Sequence, residues 1–105
     1  MDLDSFVAKA ATARGINYIK PEVLENLIPA LDSRGYWVTR LEAAEMRGER
    51  EIFNLEFAVI GLDGPENWEE HHDIDRHTQL VLRTIDRAKA SGMPIEFRVW
   101  IEERE

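Results

Sequence analysis

The sequence predicts an α+β fold. Two N-terminal helices precede a β-β-α-β unit, whose three strands form a mixed sheet in the order 1-2-3 packed against a long helix. Three observations carry that prediction. Apolar residues recur at helical spacing over 6–31 and again over 74–88. They alternate with a period of two over 51–62 and 95–102. Gly15, Gly35, Gly48 and Gly92 punctuate the stretches between. A chain of 105 residues, 44% hydrophobic and 32% charged, suits a single domain over 1–105 with one core.

The first helix is expected over 4–14, capped by Asp4 or Ser5 and stopped by Gly15. Its apolar stripe is Phe6, Val7, Ala10, Ala11 and Ala13. Ile16–Ile19 reads as a connector. Pro21 fits the first position of a second helix, because a helix start needs no N–H there. Val23, Leu24, Leu27, Ile28 and Leu31 form its apolar face. Pro29 should kink this helix or end it near Ile28, since it lacks an N–H and crowds the preceding turn.

Tyr36-Trp-Val-Thr39 has strand composition. Thr39-Arg-Leu-Glu42 is also a fair helix capping box with Gly48 as its stop. The strand reading is preferred, running to about Met46 and turning at 47–50. Residues 51–62 form the clearest strand. Phe53, Leu55, Phe57 and Val59 share one face, and Ile52, Ala58, Ile60 and Leu62 share the other, which places this strand at the sheet centre.

Asp63 or Gly64 should cap the long helix, with Pro65 at its first position. Ile74, Val81, Ile85 and Ala88 make its buried stripe, with Thr78 and Leu82 beside it. Ser91-Gly-Met-Pro94 terminates it. The last strand, 95–102, alternates Ile95, Phe97, Val99 and Ile101 against Glu96, Arg98, Trp100 and Glu102. A helical crossover makes the last two strands parallel neighbours. The antiparallel order 2-1-3 would centre the strand holding the polar Arg40–Glu45 run, so 1-2-3 is preferred.

The net charge is −8, from 21 acidic and 13 basic residues. That balance disfavours direct nucleic-acid binding, which needs a basic surface. There is no cysteine, which excludes disulfides and thiolate chemistry. The acidic N-terminus lacks the basic, then apolar pattern of a signal peptide, and no apolar run reaches the roughly 20 residues of a membrane helix. A cytoplasmic location is expected. No P-loop, G-x-G-x-x-G or G-x-S-x-G occurs. Residues 4–31 resemble a helix-turn-helix only in outline, because the second helix offers Glu22 and Glu25 with Lys20 as its only base.

Charge concentrates over 63–75, which holds six acids, His71, His72, Trp68 and no Lys or Arg. His71 and His72 do not converge with His77 at the i, i+4 spacing of a helical metal pair, so no metal is assigned. Asp73 and His77 have that spacing and read as a charge pair. First-turn carboxylates suit a helix dipole, whereas Asp73 and Asp75 lie beyond it. The candidate binding residues are Glu66, Trp68, Glu69, Glu70, Asp73 and Asp75, an acidic rim around an aromatic. Catalytic residues and cofactors are not assigned.

In size, acidity and lack of catalytic motif the chain resembles, as a class and not by residues, small inhibitors such as anti-CRISPR proteins and toxin-immunity partners. That resemblance implies a non-enzymatic protein inhibiting or regulating a partner with a basic surface, such as a nucleic-acid-binding protein. Two alternatives stand beside it. One is an assembly subunit of a homo-oligomer or phage particle, making self-contacts through exposed sheet edges and Trp100. The other is a small enzyme using carboxylates with His71 or His72.

Overall fold

Asp2, rather than Asp4 or Ser5, caps the first helix: its carboxylate accepts the Ser5 N–H at 2.8 Å. The computed structural model describes residues 2–60 and 74–104. In chain order its elements are α1 (Leu3–Ala10), β1 (Ile16–Ile19), α2 (Pro21–Ser33), β2 (Tyr36–Arg47), β3 (Arg50–Ile60), α3 (Ile74–Ala90) and β4 (Ile95–Glu103). The expected start of the long helix at 63–66 lies outside the described residues.

Three expectations need correction. The Ile16–Ile19 connector is a strand, pairing Ile16 with Val99 and Ile19 with Phe97. It was hidden because a register irregularity puts both isoleucines, three apart, on the buried side. Pro29 neither kinks α2 into a stop nor ends it, because the helix runs on to Ser33. Pro29 is exposed, so the turn it crowds lies on the solvent side of the helix.

The third correction is topological. The sheet has four strands in the order β1-β4-β2-β3, and every hydrogen-bonded pair is antiparallel. β3 is an edge strand and β2 is central, the reverse of the expected arrangement. β3 and β4 do run the same way, since each is antiparallel to β2, but β2 lies between them. The polar Arg40–Glu45 run is compatible with a central strand because only one sheet face is buried. Leu41 and Ala43 are fully buried on the helix side, while Arg40 and Glu42 point to the other face.

All three helices pack on that one side. Phe6 and Ala10 of α1, Leu24, Ile28 and Leu31 of α2, and Val81, Ile85 and Ala88 of α3 form one cluster with Leu41, Phe57, Val59, Phe97 and Val99. α3 has its expected stripe, with Ile74 only half-buried and with His77 and Thr84 also inside. The opposite sheet face carries no helix among the described residues. No helix among them is long and apolar enough to cross a membrane.

Candidate binding surfaces

The helix-free face is built from strand alternation. Ile95, Phe97, Val99 and Ile101 turn inward, so Glu96, Arg98, Trp100 and Glu102 turn outward. The register sets Arg40 opposite Trp100 and Glu42 opposite Arg98. Both guanidinium groups lie on the indole, Arg40 at 4.7 Å and Arg98 at 5.3 Å from the ring centroid. Arg40 Nη2 also donates to Glu42 Oε2 at 2.6 Å. The result is an Arg-Trp-Arg stack neutralised in part by Glu42.

Trp100 is half-buried and its polar tip is satisfied: Nε1 donates to the Ala13 carbonyl at 3.0 Å. Arg98 Nε donates to the Arg14 carbonyl at 2.8 Å. Gly15 permits this approach. It sits at φ 66°, and a Cβ there would lie 2.6 Å from the Val99 carbonyl oxygen and 2.9 Å from the indole. Farther across, the Tyr18 hydroxyl of β1 donates to Glu51 Oε2 of β3 at 2.7 Å, linking the two edge strands over β4 and β2. That bond, then burial and the carboxylate's charge, raise the Tyr18 pKa. Trp, Tyr and Arg are the residue types that dominate binding hot spots, yet here the Trp100 N–H, the Tyr18 hydroxyl, Arg98 Nε and Arg40 Nη2 already have partners within the fold, whereas Arg40 Nε is buried with none among the described residues.

The second surface is β3. Ile52, Phe53 and Leu55 are 45%, 54% and 68% exposed, and among the described residues β3 pairs only with β2. A bulge interrupts that pairing. Leu41 faces Val59 and Ala43 faces Asn54, so four residues of β3, 55–58, oppose the single Glu42. Asn54 Oδ1 accepts the Glu56 N–H at 2.9 Å and fixes the bend.

Of the six sequence-predicted binding residues, Glu66, Trp68, Glu69, Glu70 and Asp73 lie outside the described residues. Asp75 is an exposed first-turn residue of α3. It lies 3.5 Å from Arg104 Nη2, which also holds Asp32 at 2.6 Å, so this acid belongs to an ion-pair triad. His71 and His72 are likewise outside the described residues. His77 faces inward: its ring meets Trp37 edge-on at 5.4 Å, and Nε2 lies 3.1 Å from the Thr39 carbonyl. An N–H on Nε2 leaves Nδ1 buried with no partner among the described residues. Burial lowers the His77 pKa, against the raising effect of the Thr39 carbonyl. The imidazole is a neutral structural donor.

The β4 alternation places Arg98 with Trp100 on the polar face, whereas nothing in the sequence assigns a role to Arg40 or to Tyr18, which lies in a segment read as a connector. Six of the 13 basic residues are paired within the fold. Arg34, Arg40, Arg47, Arg87, Lys89 and Arg104 each pair with a carboxylate. A groove of about 400 Å³ at one end, lined by Lys20, Glu22, Lys89 and Glu96 over Met46 and Met93, sets acids beside lysines. Compared with known proteins, the chain matches no protein-family model and no curated protein.

Proposed function

We propose that the protein acts by binding: a non-enzymatic acidic domain that engages, and thereby inhibits or regulates, a protein with a basic surface. The observation that carries this is charge segregation. Five of the 21 acids and none of the 13 bases fall in 61–73, between β3 and α3. In the described remainder, six bases are already tied to carboxylates. Uncompensated acid concentrated in one segment raises the encounter rate with a basic partner and selects against acidic ones. Class resemblance to anti-CRISPR and toxin-immunity proteins is consistent with this reading.

The test is affinity capture from the source host with the wild-type chain and with Glu66, Glu69, Glu70 and Asp73 reversed to Lys. A captured basic protein that is lost on reversal, with the circular dichroism spectrum intact, supports the proposal. Equal capture by both chains overturns it. Self-assembly is a second reading, favoured by the apolar edge of β3, which pairs only with β2 among the described residues.

A further inference from the structure

We propose that β3 pairs antiparallel with β3 of a second copy, joining two four-stranded sheets into one continuous sheet across a two-fold axis. This rests on the self-assembly reading and is independent of the acidic-surface proposal.

The backbone supplies the first argument. Arg47 and Arg50 flank the two-residue turn Gly48-Glu49, with Gly48 at φ 62° as the first central residue. Residues flanking such a turn bond to each other, so alternate residues of β3 bond outward. Glu51 and Phe53 therefore direct N–H and C=O away from β2. Met46, opposite Glu51, agrees: its N–H goes to the Pro94 carbonyl at 2.8 Å, on the β4 side. A second β3 presents the same outward groups in the same order, as an antiparallel two-fold pair requires.

Side chains supply the second argument. Phe53 and Leu55 are the two most exposed large hydrophobic residues described, and Ile52 adjoins them. Antiparallel pairing brings this apolar run against the same run of the second copy, with Phe53 near the two-fold axis.

Charge decides in favour of a second copy. The chain carries −8, so two copies repel over most approaches. The hairpin tip 47–51 is the exception, with Arg47 and Arg50 balancing Glu49 and Glu51. Arg50 lies opposite Arg47, whose charge Glu45 takes at 2.5 Å, and no carboxylate pairs with Arg50 among the described residues. Antiparallel pairing carries Arg50 toward Glu56 of the second copy, at the far end of the apolar run. Among the described residues of its own chain Glu56 pairs only with Arg87, at 3.7 Å. The bulge at 55–58 bends β3 at the far end of this contact, and a two-fold contact uses up the edge before it. The assembly thus closes as a dimer and does not grow into a fibre.

Sedimentation velocity of the full chain over a range of concentrations tests the proposal. A reversible monomer–dimer equilibrium is expected, with Phe53→Lys shifting it to monomer. Arg50→Glu should weaken the dimer about tenfold, and adding Glu56→Arg should restore it, because opposite charges again face each other across strands. Should Phe53→Lys fail to fold, the Arg50/Glu56 exchange still decides. A monomer at every concentration, or a dimer indifferent to both Phe53→Lys and the charge exchange, overturns the proposal. Neither outcome bears on capture of a basic partner, which is read from a different set of substitutions.

Discussion

The sheet has two edges, and the protein treats them in opposite ways. β1 is only four residues long, has both isoleucines buried, and lies beside a turn pinned by Trp100 on Ala13 and Arg98 on Arg14. β3 is eleven residues long, carries three exposed apolar side chains, and among the described residues has only the bulge at its middle as protection. Unpaired edges invite association, and shortness with covering contacts is the usual defence. β1 has that defence, whereas β3 exposes the residues that a contact would bury. The difference teaches that one edge is closed by short length and covering contacts, while the other leaves apolar side chains in solvent.

The contrast predicts different responses to mutation. Ile19→Ala, 5% exposed on β1, should cost about 2–5 kcal/mol in urea unfolding. A loss below roughly 1 kcal/mol would show that β1 is a weak appendage. Gly15→Ala should cost about 1–3 kcal/mol for its left-handed backbone, before its collision with Val99 is counted. Trp100→Phe keeps an aromatic ring but removes the indole N–H and its bond to Ala13, and should cost about 1 kcal/mol.

His77 provides a pH test midway between the edges, under β2. Its folded pKa lies below the ordinary histidine value of 6.5, so below that pH the unfolded chain binds the proton more readily. Stability should therefore fall as pH drops through 6.5 toward the folded value, and His77→Gln should flatten that slope. The smallest expected effect on stability is that of Phe53→Lys on β3, within about 0.5 kcal/mol, even as it breaks association. A large loss there would mean that β3 is buried in the monomer and would erase the contrast.

Much of this architecture was legible in the chain. The starts of α2 and β4, the Gly48 turn and the β2 strand reading all followed from local chemistry. Strand order did not, because alternation reports which side chain shares a face and not which strand lies beside which. Residues 51–62 misled for a specific reason: exposed Ile52, Phe53 and Leu55 have the composition of a strand buried on both sides. The polar Arg40 and Glu42 misled in the converse direction. They are compatible with the centre because a Trp ring and each other's charge receive them. Of the acidic binding candidates only Asp75 can be compared, and its neighbour Arg104 sits nearly thirty positions away, beyond the reach of any local pattern.

The seat of β4 has a consequence for the order of assembly. β4 lies between β1 and β2, and its pairing of Ile16 with Val99 joins positions near opposite ends of the described chain. While a nascent chain has released α3 but not β4, β1 has no strand to bond and β2 has one side bare. The hairpin of β2 and β3 can form locally by then, but the sheet cannot. Such long-range closure is slow compared with local pairing. On the ribosome, the arrival of one strand closes both halves of the sheet together.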